Sequence, residues 1–256
     1  MTEFLILSAQ GLGVDPVVKY TALSLFADRF CASLARSEGS NAIQHWLLQP
    51  IRESNLQLFS LVSIWISSKI HLSRPLSVKT LKTWGDRIIT EQHFTTRDFF
   101  EGEVIFLQML NFEIGSASDA FMFLEQLHIQ FKEVAAVGKL LSFQACTDVM
   151  DLLYEKEEMT RLYRSPRPLA ASILVCSYLM TVPKQSLEFP ILAWGTISCS
   201  SYCLFIFSMV VSCFRDQIVT GLSLNIMYLN HKIYNQSSSY YIKKIFCCIG
   251  TLYSCL

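Results

Sequence analysis

Apolar residues recur at helical spacings along most of the first 196 residues. Between Tyr20 and Leu34 they recur every three or four positions, which indicates a helix buried along one face. Asp15 followed by Pro16 predicts the start of this helix, because aspartate is a common N-cap and proline fits the first turn. The polar residues 36–41 predict the loop that follows.

Residues 56–70 are apolar on nearly every side of the predicted helix. A helix with this pattern is usually surrounded by other helices, so we expect it at the centre of a bundle. Asn55 is the predicted N-cap, and Trp65 is assigned a structural role among the apolar residues. Lys69, in the last turn, is the single charged residue of the segment 55–70.

The same periodicity predicts further helices over 77–89, from Thr95 or Thr96 to Phe112, and over 119–137, 143–163 and 168–180. Gly115 and the polar residues after it indicate a helix stop followed by a new start. No segment before residue 196 has a convincing strand pattern. The sequence therefore predicts an all-α fold in two successive helical units that meet near Gly115.

The pattern changes in residues 197–256, which are rich in Cys, Ser, Tyr, Ile and Phe. Asp216 is their single acidic residue, and their apolar positions form no clear helical stripe. We expect a poorly structured tail. Our hypothesis is that it arises from alternative splicing or intron read-through.

Composition excludes several classes of function. The 256 residues have a net charge of zero, which argues against nucleic-acid binding, since such proteins normally present a basic face. Phosphate-binding glycine loops and common hydrolase motifs are absent from the sequence, so no catalytic residue and no enzyme is predicted. The nine cysteines form no paired CxxC pattern, so no metal and no cofactor is predicted.

Two charged residues lie at unusual positions in the apolar pattern. Lys69 fits a favourable interaction with the C-terminus of its helix. Glu103 falls on a stripe of the predicted fifth helix, where it fits a carboxylate at the edge that points to solvent. That stripe consists of Phe100, Val104, Leu107 and Leu110.

Several segments, in this order and spacing, resemble the cyclin family. Residues 20–30 end in Asp-Arg-Phe, as the second cyclin-box helix does, and residues 56–70 have the Leu-Gln-Leu opening and Ser-Lys close of the third. Residues 103–114 contain the Glu and the Leu-x-x-Leu-x-Phe ending of the fifth. Residues 165–172 resemble the alanine-rich third helix of the second cyclin fold. Over roughly residues 12–196 the chain is similar to cyclins, in particular the small, atypical plant J-eighteen type.

The resemblance implies a particular organisation of the chain. Residues 1–115 would form one complete five-helix cyclin box, and residues 116–196 an incomplete second cyclin-like helical fold. Residues 197–256 would form the divergent apolar tail.

The first cyclin-box helix usually contains an arginine that pairs with the aspartate of Asp-Arg-Phe. The segment before Gly11 contains no arginine, so Asp28 lacks its expected partner. Asp28 and Arg29 are assigned structural roles in the box.

The resemblance also implies a function: a non-catalytic regulatory subunit that binds and activates a cyclin-dependent kinase in the cell cycle, in the nucleus and/or cytoplasm. Lys69 and Glu103 match the family's lysine and glutamate, which contact the kinase around its C helix. Candidate apolar contacts around the pair are Ile70, Leu72, Phe99 and Phe106.

Two alternatives remain open at this point. Residues 191–214 are long enough to span a bilayer, which needs about 20 apolar residues, although their glycine and serines weaken insertion. A membrane-associated helical protein is therefore an alternative function. A transcription adaptor with the cyclin fold is another, which the zero net charge disfavours.

Overall fold

The computed structural model describes residues 1–37, 45–114, 120–134, 136–155 and 166–181. Within these ranges the chain is helical and contains no strand, which confirms the predicted all-α fold. The predicted boundary at Gly115, the segment 191–214 and the tail 197–256 lie outside the described residues.

The helices in chain order are α1 (Thr2–Gly11), α2 (Pro16–Leu23), α3 (Cys31–Ser37), α4 (Glu53–His71), α5 (Val78–Ile88), α6 (Thr96–Met109), α7 (Ala120–Val134), α8 (Phe143–Glu155) and α9 (Pro166–Thr181). A π-helix, Ser24–Phe30, joins α2 to α3, and a 3₁₀ helix, Ala136–Leu140, lies between α7 and α8. The chain divides into two compact units. Among the described residues, the first comprises those of 1–122 and 154–155, and the second comprises those of 123–153 and 166–181.

Helix α4 is the central helix of the first unit, as its apolar sequence predicts. It packs against α1, α2, α5 and α6. Its buried serines bond to backbone carbonyls: Ser63 to Ser60 at 2.7 Å within the helix, and Ser67 to Val18 of α2 at 2.8 Å. Because buried hydroxyls need such partners, these bonds allow polar residues to lie on a helix that is covered on most sides.

The start of α4 differs from the prediction. The helix begins at Glu53 with Arg52 at the N-cap, so Asn55 is inside the helix and is not its cap. Asn55 is buried, and its side-chain amide donates to the carbonyl oxygen of Leu47 at 2.7 Å. Asparagine serves here as a buried donor to the preceding segment, because that segment passes beside the first turn.

Helix starts elsewhere agree with the sequence signals. Asp15 is the N-cap of α2 with Pro16 in the first turn, although the Asp15 side chain makes no capping hydrogen bond. Ser77 caps α5 by accepting from the backbone N–H of Thr80 at 3.1 Å. Thr95 caps α6 in a capping box with Asp98, so α6 begins where the pattern predicts.

Helix α6 ends before the predicted residue, Phe112. Its last residue is Met109, and Asn111 and Phe112 both have positive φ, at 52° and 60°. The Phe112 N–H bonds to the Leu107 carbonyl at 2.8 Å, five residues earlier, which is the closing bond of a Schellman turn. The left-handed backbone therefore stops the helix although the apolar pattern continues.

Arg29 and Asp28 lie in the π-helix Ser24–Phe30 of the first unit. The Arg29 guanidinium donates to the carbonyl oxygen of Glu113, so it ties the π-helix to the turn after α6. Asp28 also takes part in an interaction.

The second unit is described over α9 and over most of α7 and α8. Its fully buried side chains include those of Leu124, Phe131, Met150 and Ile173. The guanidinium of Arg167 lies 5.0 Å from the centroid of the Phe123 ring, a cation–π distance. Cys146 is buried in this unit, and burial raises the pKa of its thiol to about 11.

Candidate functional site

The structure brings together the two charged residues that the sequence singles out. Lys69 lies in the last turn of α4, and Glu103 lies in the middle of α6. Because α4 and α6 pack side by side, the Lys69 Nζ reaches the Glu103 Oε1 at 2.5 Å. The side chains are 38% and 18% exposed, so the ion pair lies at the surface of the first unit.

Trp65 lies beneath the Lys69 ammonium, one helical turn earlier on α4. The Lys69 Nζ is 3.6 Å from the centroid of the indole ring, and the ring is only 4% exposed. The indole N–H donates to the carbonyl oxygen of Leu76 at 2.9 Å, and Phe100 of α6 meets the ring edge-on at 5.4 Å. Trp65 is therefore buried directly beside the ion pair.

The predicted apolar contacts divide into two groups. Ile70 is exposed beside Lys69, and Leu72 is partly exposed, so both are at the surface. Phe99 and Phe106 are buried, and the Phe106 ring stacks on Phe30 with centroids 4.6 Å apart. The prediction that Phe99 and Phe106 contact a partner is wrong, because both point from α6 into the core.

Phe100 and Val104 are surface residues next to the ion pair, although neither is among the predicted contact residues. They are 51% and 52% exposed, and they flank Glu103 on α6. Their spacing with Leu107 and Leu110 predicts one apolar stripe along the helix, and it does not reveal that these two residues are exposed. Helix α6 has two neighbouring apolar rows, and the row buried against α4 contains Phe99, Gly102 and Phe106.

A shallow groove continues from Phe100 and Val104 along α6. Its lining residues are His45, Phe100, Glu101, Val104, Ile105 and Gln108. Glu101 accepts from Arg97 at 2.7 Å and lies 3.7 Å from His45. The Arg97 hydrogen bond is the main cause that lowers the pKa of Glu101, so this carboxylate is ionised at neutral pH.

His71 closes α4 next to the ion pair. Its Nε2 lies 2.9 Å from the hydroxyl oxygen of Thr21, and partial burial lowers the pKa of the imidazole. The ring is therefore mostly neutral at pH 7, and the positive charge at this end of α4 comes from Lys69.

The chemistry of the site is that of charged and apolar side chains at one surface of the first unit. It combines one ion pair with exposed apolar side chains. Among the described residues, no group of three His, Cys, Asp or Glu side chains could hold a metal ion. Within the same ranges, no helix has both the length and the apolar character needed to cross a membrane.

Comparisons with known proteins agree on one family. Residues 1–115 match the model described as "Cyclin, N-terminal domain". The chain is 59% identical over 194 residues to "Cyclin-J18" of Arabidopsis thaliana, which covers 76% of this chain and 83% of that protein. It is 50% identical over 206 residues to "Cyclin-J18-like" of Oryza sativa subsp. japonica, which covers 78% and 79% respectively.

Proposed function

Because the chain belongs to the cyclin family and is of the plant J18 type, we propose that it binds and activates a cyclin-dependent kinase in cell-cycle control. Cyclins are regulators and not enzymes, so the chain's contribution is a binding surface. The alternatives of a membrane-associated protein and a transcription adaptor have no such support from the relatives.

The observation that most supports the proposal is the ion pair between Lys69 and Glu103. Two residues 34 positions apart meet at 2.5 Å on one surface of the first unit. Both match, residue by residue, the lysine and glutamate that resemblance to cyclins assigns to the kinase contact. In the proposed complex, the C helix of the kinase lies against this pair.

The proposed mechanism is allosteric. Docking stabilises the inward position of the kinase C helix, in which its glutamate pairs with the catalytic lysine. The cyclin favours this active state only to the extent that it binds it more tightly than the inactive state. A firm helical surface, such as the one formed by the last turn of α4 and the middle of α6, suits this role.

The exposed apolar residues around the ion pair supply the rest of the proposed contact. Ile70, Phe100 and Val104 are each between 43% and 52% exposed. Covering them would remove apolar area from water while the kinase surrounds the ion pair. Loss of one charge would then leave the other buried without its partner, at a cost of about 2–5 kcal/mol of binding free energy.

Co-purification with a panel of plant cyclin-dependent kinases tests the proposal. We expect the parent chain to capture at least one kinase and to raise its activity on a peptide substrate. Lys69→Glu and Glu103→Ala should each abolish or strongly reduce capture.

The chain offers a matched control pair on α5. Lys82 and Asp86 lie 2.6 Å apart; Lys82 is 37% exposed, close to the 38% of Lys69, and Asp86 is 34% exposed, against 18% for Glu103. Lys82→Glu and Asp86→Ala should capture kinase like the parent. The site assignment fails if Lys69→Glu and Glu103→Ala stay folded and bind like these controls.

The proposed place of action is the nucleus and/or cytoplasm, where kinases of this class would be accessible. A fluorescent fusion of the full chain, imaged in plant cells, tests this part. Exclusive association with membranes would contradict it and would favour the alternative based on residues 191–214.

A further inference from the structure

The indole of Trp65 contacts three different parts of the proposed kinase-binding surface. It lies under Lys69 of its own helix, against Phe100 of α6, and bonds to Leu76 of the loop after α4. We propose that Trp65 is a positioning residue that holds the Lys69 ammonium beside Glu103 before a kinase binds. The inference rests on the proposed function and adds a residue that does not itself touch the kinase.

The first support is the geometry around the ammonium group. The Lys69 Nζ lies 3.6 Å from the indole centroid, well inside the ~6 Å limit of a cation–π contact. On its other side the same atom lies 2.5 Å from Glu103 Oε1. Residues four apart on a helix face the same side, so the contact follows directly from the α4 backbone. Two partners from two helices thus fix one flexible side chain.

The second support is that Trp65 is itself held in place. Its N–H donates to the Leu76 carbonyl at 2.9 Å, and the Leu76 N–H donates to the Ser68 hydroxyl at 3.2 Å. The Ser68 hydroxyl in turn donates to the Trp65 carbonyl at 2.7 Å. A positioning residue needs a fixed orientation of its own, and this closed set of bonds supplies one.

The consequence for binding is a smaller ordering cost. A lysine side chain normally samples many rotamers, and fixing them on binding reduces affinity. Because Trp65 and Glu103 already restrict Lys69, less of that freedom is lost when a kinase docks. Trp65 thereby strengthens binding through Lys69.

A purely structural role for Trp65 gives a different expectation. The stem of a lysine can cover an apolar ring simply because both avoid water. In that case replacing Trp65 would loosen α4 and weaken kinase binding by the same factor whether or not Lys69 is present. If Trp65 positions Lys69, the loss of kinase binding on replacing Trp65 should depend on the presence of Lys69.

A double-mutant cycle on the full chain separates the two roles. The variants are Trp65→Leu, Lys69→Met and their combination, each titrated against the kinase that the parent captures. We expect Trp65→Leu to weaken binding about two- to fivefold, from the loss of a cation–π contact at a partly exposed site. In the Lys69→Met background it should cause no further loss. An equal loss in both backgrounds overturns the inference.

Trp65→Phe is the conservative variant and covers the case in which Trp65→Leu does not fold. Phenylalanine keeps an aromatic face under Lys69 but has no N–H for Leu76. We expect it to bind within about twofold of the parent. Binding as weak as that of Lys69→Met would overturn the positioning role, because the ring face would then not be what matters.

An NMR measurement on the free chain distinguishes failure of this inference from failure of the proposed function. Ring current from Trp65 should move the Lys69 side-chain proton signals upfield in the parent and not in Trp65→Leu, with Lys82 as the control lysine. Unshifted Lys69 signals in a parent that binds kinase overturn the Trp65 inference alone. Shifted signals in a parent that captures no kinase overturn the proposed function and the kinase-binding role together.

Discussion

The side-chain amide of Asn55 donates a 2.7 Å hydrogen bond to the backbone carbonyl of Leu47. Both residues are buried, so each group depends on the other for its hydrogen bond. The bond joins the first turn of α4 to the segment that precedes it. This anchoring matters for the site, because α4 is the helix that ends in Lys69.

Replacing Asn55 with alanine should destabilise the first unit by about 1–3 kcal/mol. The cause is the buried Leu47 carbonyl, which would lose its donor and stay away from water. Urea denaturation of the two proteins measures the difference. Gln57→Ala, at a partly exposed position of the same helix, is the control and should change stability by less than about 0.5 kcal/mol. Equal effects of the two changes would contradict the anchoring role.

The sequence predicted α4 well but not the role of Asn55. An apolar pattern on every side of 56–70 implies surrounding helices whatever their order, so the central position could be inferred. An asparagine before an apolar run can be the N-cap of the helix, and it can equally well be a hydrogen-bond donor inside the helix. Only the path of the segment around Leu47 decides between these roles, and that path is tertiary structure.

The dependence on tertiary structure also explains why Phe99, a predicted contact residue, is buried, and why Phe100, its neighbour on α6, is exposed. Phe99 and Phe100 are adjacent and equally apolar, and neighbours on a helix point about 100° apart. Which of them faces the core depends on the rotation of α6 about its own axis, and that rotation is tertiary structure. Lys69 and Glu103 could be paired only through the family resemblance, since 34 residues separate them.

The capping box of α6 should have a measurable effect on stability. The Thr95 hydroxyl accepts from the Asp98 N–H at 3.3 Å, and the Asp98 carboxylate accepts from the Thr95 N–H at 2.6 Å. Thr95→Ala should cost about 0.5–2 kcal/mol of folding free energy. Thermal unfolding provides the measurement, with Thr83→Ala on exposed α5 surface as the control. Because the two residues act together, Thr95→Ala plus Asp98→Ala should cost less than the sum of the single changes.

The effects of substitutions at Gly11 and Trp84 on folding stability should be strongly coupled. A Cβ placed on Gly11 would lie 2.0 Å from the tip of the Trp84 ring, so any larger residue must displace the indole. Gly11→Ala should destabilise by about 1–2 kcal/mol, because overpacking outweighs the gain in helix propensity. In a Trp84→Leu background the same change should cost nothing or stabilise. A penalty that persists without the indole would show that the cause lies elsewhere.

The Cys146 thiol should make stability fall at alkaline pH. Burial raises its pKa from 9.0 to about 11, so the unfolded chain loses this proton first as pH rises. The stability that the buried, protonated thiol contributes is complete below about pH 9 and is lost progressively as pH rises towards 11. The loss amounts to about 2–3 kcal/mol. The free energy of unfolding, measured by denaturation at several pH values across this window, should fall less steeply for Cys146→Ala than for the parent. Parallel curves for the two proteins would rule out this thiol as the source.

Phe106 and Phe100 lie on the two apolar rows of α6, and their substitution should have opposite consequences. Phe106 is fully buried against Phe30, so Phe106→Ala should cost about 3–5 kcal/mol of folding free energy. Phe100 is half-exposed and meets Trp65 edge-on, so Phe100→Ala should cost about 1 kcal/mol or less. Chemical denaturation ranks the two variants.

Substitutions at Phe100 and Phe106 should affect kinase binding in the opposite order from stability. Phe100→Ala removes an exposed ring beside Glu103 and should weaken capture about fivefold or more, as an apolar contact residue near an interface centre does. Phe106→Leu keeps the core filled well enough to fold, and its folded molecules should bind like the parent. If Phe100→Ala binds normally while Phe106→Leu does not, the kinase does not dock on the exposed row of α6, because affinity would then follow the integrity of the core.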